Sequence, residues 1–555
     1  MTKRSVAITY YVATLSLAAC APANEPTTGS QTNWLTRCRA DSDCGELECL
    51  CGACTRSCSD DPSCGELPGA SCVASDDAAA IALCAGTRST SRGLCLLPCP
   101  AEGCANGMTC VAGVCMPTLE QTALVSVDES QRFQTLVGFG ANIGYVNEEM
   151  ARHPRKEALF DAMFSGTGLN VLRLRNRYYG QDDDEDLGYS GDIVTAATER
   201  QGRNPTIILS SASPPDSLKA NGSSWCEGNP DTCTLATLPD GSFDYAGFAR
   251  YWRASLDAYA LAGIEPDYIS IQKNPNWAPE TGAIVEACRF LPAEGTATVT
   301  TDAGEVTVQY PGYSEAMLAV IGQFEGLASI PRIVAPDTSG FVEVADYVAE
   351  IDIENVDAIA HHMYGTDTIN VDRTALKAVG DLAKQSQRPL FQTEMSADAL
   401  TTAVLMHAAL ATEGAVLYLQ AGFVGSAFRI EPDRTTLINL TDDDFVIGDP
   451  YHVMLHYSAH VEPGWVRVAA DSDTDGLLAS AWVPPGGDAV TVVLTNPLLE
   501  EKVVRIDVGE ETTKKSRVTR TVLSGRERSA PLGPLPPEGI ITLPGHSLIT
   551  VTIQR

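Results

Sequence analysis

Tyr268-Ile269-Ser270-Ile271-Gln272-Lys273-Asn274-Pro275-Asn276-Trp277 is the stretch that decides the fold. Its first four residues form a short apolar run of the kind that lies buried in a sheet, and the polar residues after it leave the strand end for a loop. Runs of the same type recur at 170–174 (Asn-Val-Leu-Arg-Leu), 206–210 (Thr-Ile-Ile-Leu-Ser), 332–335 (Arg-Ile-Val-Ala), 358–361 (Ala-Ile-Ala-His) and 389–392 (Pro-Leu-Phe-Gln). Between them lie amphipathic stretches, such as 243–262 and 313–327, that read as helices. Apolar strands alternating with helices predict a parallel sheet, and this many units predict an α/β fold of the (β/α)8 TIM-barrel kind. In such barrels chemistry gathers at the C-terminal strand ends, where the polar residues of these runs fall.

The flanks differ in composition. Residues 125–128 and 133–136 read as two short strands ahead of the first barrel unit at 137–141. After about residue 446 the helices are expected to stop. Runs at 490–495, 517–519 and 548–552, separated by Gly/Pro turns, predict an attached C-terminal β-sandwich. The expected division is a barrel over 122–445 and a sandwich over 446–555. Of 18 cysteines, fourteen lie between Cys38 and Cys115, which predicts a small disulfide-rich module over 38–117. There Cys54-x3-Cys58-x5-Cys64 is echoed by Cys95-x3-Cys99-x4-Cys104, as in two related knots, and the spacing leaves the pairing open. A zinc site would rest on the single CxxC from Cys51 to Cys54, with no His nearby, so no metal is expected.

Residues 1–19 carry Lys3-Arg4 and then an apolar run, too short to span a bilayer and laid out like a secretory signal peptide. Leu17-Ala18-Ala19-Cys20 resembles a bacterial lipobox, which implies lipidation at Cys20 and a flexible tether over 20–37. The expected location is the bacterial cell envelope, lipid-anchored, or the extracellular space. The chain of 555 residues has 44% apolar and 20% charged residues, ordinary for folded protein, and is long enough for several domains. Its 38 basic and 71 acidic residues leave a net charge of −33, a field that repels nucleic acid.

Several motifs then act in combination: Leu136-Val137-Gly138-Phe139-Gly140, Gly168-Leu169-Asn170-Val171-Leu172-Arg173, Ser213-Pro214-Pro215 with Lys219, and Gln272-x-x-Pro275. Glu286-Ala287-Cys288-Arg289-Phe290, Ala360-His361-His362-Met363-Tyr364, Gln392-Thr393-Glu394 and 457–468, which begins Tyr457-Ser458-Ala459-His460, complete the set. Over 125–555 the chain resembles the retaining glycosidases of glycoside hydrolase family 30. The resemblance implies a barrel with an attached β-sandwich, a β-linked glycoside or glycan as partner, retention of anomeric configuration, and no cofactor.

Retention uses two carboxyl groups about 5–5.5 Å apart, one as nucleophile and one as acid and then base. By the resemblance, Glu394 is the nucleophile and Arg173 the cation beneath it. His361, His362 and Tyr364 would bond Glu394 or the sugar, and Gln272, Lys273 and Trp277 would lie in the substrate loop. The proton-donor position is Asn274, and Lys273 replaces an Asn that holds the hydroxyl next to the reacting carbon. A carboxamide cannot ionise. Ala212 and Leu419 also stand where aromatic residues are expected. Three readings follow: a degenerate, sugar-binding barrel; an enzyme for activated leaving groups; or another carboxylate, Glu280, Glu286 or Asp267, in the acid's role. Asp182-Asp183-Asp184-Glu185-Asp186 lacks regular calcium-ligand spacing and reads as a solvated loop. Cys226 and Cys233 are expected to pair across a short loop, leaving Cys288 unpaired unless it bonds within the cysteine-rich module.

Overall fold

The computed structural model describes residues 34–36, 38, 44–50, 53–75, 77, 92–100, 104, 108–111, 113–117, 122–179, 184–227, 231–278, 284–301, 304–365, 371–425, 434–509 and 515–555. The expected signal segment, Cys20, Cys51, Asp182, Asp183 and Glu280 lie outside them.

Eight parallel strands close into a barrel in chain order. They are β1 (Gly138–Ile143), β2 (Leu169–Arg175), β3 (Thr206–Ser210), β4 (Tyr268–Ser270), β5 (Arg332–Thr338), β6 (Ala358–His362), β7 (Leu390–Glu394) and β8 (Leu417–Gln420). The expected runs all fall on these strands. Their interior is layered: Val171, Ile208, Tyr268, Val334, Ala358, Phe391 and Leu417 make an apolar plug. Buried polar residues lie farther along the same strands toward their C-terminal ends, among them Arg173, Ser270, Asp337, His362 and Thr393. The barrel is thus sealed below and polar above, as in other barrels of this kind.

Gly140 in the first motif is required by close approach, because a Cβ there would overlap the Val171 carbonyl of the adjacent strand. Gly168 has φ +68, a left-handed conformation that favours glycine, and abuts the Ser458 carbonyl. The helix expected over 243–262 runs Tyr245–Leu261, with Phe248, Trp252 and Tyr259 buried. Its start is set by the Asp244 side chain, which accepts from Gly247 N at 2.7 Å. The helix expected over 313–327 is shorter, Tyr313–Ile321, ending at Gly322.

The second layer of structure corrects the expected boundary. Ala123–Thr135 is one 13-residue strand, not two short ones, and it pairs antiparallel with Val466–Ser472 and parallel with Lys502–Asp507. The nine-stranded sheet therefore draws on chain before the barrel as well as after it. Val125, Val468, Ala481, Val492, Val504, Ile541, Ile549 and Val551 from both halves of this sheet share one apolar core, which makes it the expected sandwich. Nor do the helices stop at 446. Asp449–Ser458 is helical, with Pro450 in its first turn, where the missing N–H costs nothing. His456 on that helix faces Thr550 and Thr521 of the sheet, at 2.8 Å each.

The cysteine-rich module, taken by itself, is held by Cys38–Cys49, Cys44–Cys54, Cys58–Cys72, Cys64–Cys95, Cys99–Cys110 and Cys104–Cys115. The repeat is real but its frame differs from the one the spacing suggests. Cys38/44/49/54 and Cys99/104/110/115 each pair first with third and second with fourth. Cys54, one half of the CxxC, is bonded to Cys44, so its sulfur is not a zinc ligand. Among the described residues no helix is long and apolar enough to cross a membrane.

Candidate active site

Glu394 closes β7 and is 6% exposed. Its Oε2 accepts from Asn142 Nδ2 at 2.9 Å and Arg173 Nη1 at 3.1 Å, and it lies 2.9 Å from Lys273 Nζ. Its Oε1 accepts from Tyr364 Oη at 3.0 Å and lies 3.9 Å from His362 Nδ1. Side chains from β1, β2, β6 and the loops after β4 and β6 thus converge on one carboxylate. Burial alone would push this carboxyl up, but Lys273 above all, then His362 and Arg173, outweigh it and bring it from 4.5 down to about 2. The reciprocal holds for Lys273: burial works against its charge, and Glu394 raises it above the ordinary lysine value. The pair is ionised at neutral pH.

Beneath it lies Asp337, at 0% exposure, which the sequence reading missed. Its Oδ2 accepts from Arg173 Nη2 and Ser270 Oγ at 2.5 Å each. Its Oδ1 accepts from Thr393 Oγ1 at 2.5 Å and faces His362 Nε2 at 3.3 Å. Burial opposes ionisation here too, yet Arg173 and His362 hold the carboxyl below the usual carboxylate range. Asp337 has φ +65, directly after the cis Ala335–Pro336 bond. Aspartate tolerates that left-handed conformation better than most residues. Pro336-Asp337 beyond the expected strand end at Ala335 was the available signal.

The other expected site residues separate. His362 faces the site, and its burial, which outweighs the pull of Glu394 and Asp337, holds it below the ordinary histidine value. His361 points the opposite way, as neighbours on a strand do. Its Nε2 lies 2.6 Å from Glu413 Oε1 and its Nδ1 2.8 Å from the His362 carbonyl, so it has no part in the site. Gln272 is fully buried, and its Nε2 donates to the Ala212 and Lys273 carbonyls at 2.8 Å each, which shapes the loop. Trp277 is 36% exposed on that loop. Asn274 has φ +51, its N–H donates to the Asp337 carbonyl at 3.0 Å, and its own carbonyl accepts from Trp277 N at 3.0 Å. Its side-chain Oδ1 is buried with no hydrogen-bond partner among the described residues.

Of the alternative carboxylates, Asp267 lies away from the cavity and Glu286 is already ion-paired, while Glu280 lies outside the described residues. Asp267 lies at the opposite, N-terminal end of β4, accepting from Ile207 N at 2.9 Å. Glu286 is ion-paired with Arg175 and accepts from Tyr179 Oη at 3.4 Å. It sits on a short strand, Ile284–Glu286, paired with Trp225–Glu227. Cys226 and Cys233 are bonded as expected, and Cys288 is free, buried, and pushed by burial to about 11. Lys219 is buried and donates to the Ala287 carbonyl, a structural use of the cation.

The cavity in front of Glu394 is lined by Asn142, Tyr145, Arg173, Arg175, Ala212 and Lys273, and its volume is about 20 Å³. That is room for about one water molecule. Arg175 stacks on the Tyr145 ring at 4.8 Å, and the Lys273 ammonium lies 5.9 Å from the same ring. Ala212 is in the wall, so an aromatic surface is absent there; Leu419 is buried in the apolar plug and does not reach the cavity.

The sequence matches no family model and no curated protein. Its fold is similar to that of the catalytic domain of the family 30 xylanase C from Talaromyces cellulolyticus, at TM-score 0.58 and 16% identity, covering 78% of this chain and 100% of that one. A conserved exported protein from Bacteroides fragilis is similar at TM-score 0.60 and 14% identity, with 78% and 100% covered. An endo-β1,6-glucanase is similar at TM-score 0.55 and 16% identity, with 79% and 94% covered. At these identities the shared property is the family 30-like fold.

Proposed function

We propose that this chain is an exported, family 30-like protein that recognises β-linked glycosides at its barrel mouth. In this reading Glu394 is the retained nucleophile, and the acid–base carboxyl has been replaced by Asn274. One observation carries it: an ammonium, Lys273 Nζ, lies 2.9 Å from Glu394 Oε2, with the amide of Asn274 next in the chain. A retaining glycosidase needs a titratable carboxyl about 5–5.5 Å from the nucleophile. The motif resemblance and the xylanase and glucanase folds support glycoside recognition.

Without the acid, ordinary alkyl linkages lose the ~10²–10⁴-fold help that proton transfer supplies. Glu394 can then attack only where the leaving oxygen departs unprotonated, as from an activated aryl glycoside. A second reading, a catalytically inactive sugar-binding or adhesion lipoprotein, is favoured by the narrow cavity. The two separate on a panel of dinitrophenyl β-glycosides. Phenol release abolished by Glu394→Gln supports the nucleophile. Glycan binding without release in either protein supports the binding reading. Restoring the pair, Lys273→Asn with Asn274→Glu, is expected to raise hydrolysis of natural β-glycans, and no gain would count against the site assignment. The seven described disulfides, Cys226–Cys233 and those of the module, suit an oxidising compartment. Anchoring at Cys20 is checked by palmitate labelling that Cys20→Ala abolishes.

A further inference from the structure

Three cations line the cavity before Glu394, and three carboxylates balance them. Arg173 bridges Asp337 and Glu394, Arg175 is paired with Glu286, and Lys273, among the described residues, is paired with Glu394 alone. The cavity is therefore neutral only while Glu394 is ionised. Attack on an anomeric carbon removes that charge. A Glu394 oxygen bonds the carbon, the bond to the aglycone breaks, and its electron pair leaves with the aglycone oxygen. The resulting ester is neutral, and Lys273 has lost its counter-charge. Asp337 cannot supply one, because its oxygens are held by Arg173, Ser270 and Thr393, with His362 alongside. Glu286 is held by Arg175 and Tyr179. At that stage nothing at Asn274 can take a proton from water.

We infer that the glycosyl-enzyme formed on Glu394 is resolved by a small oxyanion, a carboxylate or phosphate, drawn by the unpaired Lys273 ammonium, and not by water. This rests on the nucleophile reading above. The step balances without a proton. An oxyanion lone pair forms the new bond to the anomeric carbon as the bond to Glu394 breaks. Glu394 leaves as a carboxylate and pairs with Lys273 again. The product is a β-glycosyl carboxylate or phosphate, with configuration retained over the two displacements. The Lys273 side chain is 18% exposed on a four-carbon stem, so its ammonium can swing off Glu394 to admit the sugar.

The test uses the full chain with dinitrophenyl β-glucoside, xyloside, galactoside and fucoside, in sodium formate, sodium phosphate, or sodium chloride at equal ionic strength. In chloride, one equivalent of phenol is released rapidly and turnover then slows. Formate or phosphate is expected to raise the slow phase by about 10²-fold, the lower end of what a general base supplies. NMR then identifies the β-glycosyl formate or phosphate. In Lys273→Met most of that acceleration is lost. A burst followed by a slow phase that no oxyanion accelerates overturns this inference and leaves the nucleophile reading standing. Acceleration as large in Lys273→Met overturns the role of the ammonium. No burst, with no adduct on Glu394 by intact mass using a 2-fluoro glycoside, overturns both.

Discussion

Replacing Lys273 by Met removes the ammonium 2.9 Å from Glu394 Oε2 and keeps most of the side-chain volume. Glu394 is held at about 2 against an ordinary 4.5, a differential interaction of roughly 3 kcal/mol at 1.36 kcal/mol per pKa unit. Its side chain is 7% exposed, so solvent screens little of this. An opposite charge this close lowers a carboxyl by about 1–3 pKa units, so the Met variant should return Glu394 to roughly 3–5. Arg173, Asn142 and Tyr364 remain to stabilise the anion. The direct assay is ¹³C NMR of labelled glutamate carboxyls, with the Glu394 resonance assigned by its loss in Glu394→Gln. Stability gives a second readout with a definite sign. A carboxyl depressed in the folded state contributes stability that is complete above about 4.5 and lost as pH falls through about 2. The gap in unfolding free energy between wild type and Lys273→Met should be widest above that window and shrink through it. A carboxyl titrating within about half a pKa unit of the same value in both proteins would refute the assignment of Lys273 as the main cause.

Asp337→Asn leaves the Arg173 guanidinium buried without its lower partner and should cost about 3–5 kcal/mol, measured by guanidinium unfolding. A cost under about 1 kcal/mol would mean that Arg173 is neutralised elsewhere. Asn274→Glu places a residue less tolerant of positive φ at +51, so its unfolding free energy should fall by about 1 kcal/mol even where activity rises. Removing the Cys226–Cys233 bridge, which spans a sequence separation of 7, should cost roughly 2.5 kcal/mol on loop-closure grounds, seen as a lower denaturation midpoint.

What the sequence by itself determined is what local pattern encodes. Barrel strands are buried on both faces, so they read as continuous apolar runs, and the helices between them carry one apolar stripe. Glu394, Arg173 and Tyr364 were legible because each belongs to a short motif whose spacing survives at the end of its strand. The pairing of Cys226 with Cys233 was legible because it closes a short loop.

Tertiary structure alone decided the rest. His361 and His362 are neighbours in sequence, yet the strand's alternation and the register shift between them send one to Glu413 and the other to Glu394. Asp337 is an unremarkable acid until β2, β4, β6 and β7 bring Arg173, Ser270, His362 and Thr393 around it. The strand Ala123–Thr135 finds its partners only beyond the whole barrel, at Val466–Ser472 and Lys502–Asp507. Lys273 reads, by the family resemblance, as a cation near Glu394, and only closure of the barrel sets the 2.9 Å between them. A propensity is carried by residues near in the chain, whereas the energy of a buried charge depends on which groups lie within a few ångströms of it, and these come from strands far apart in sequence.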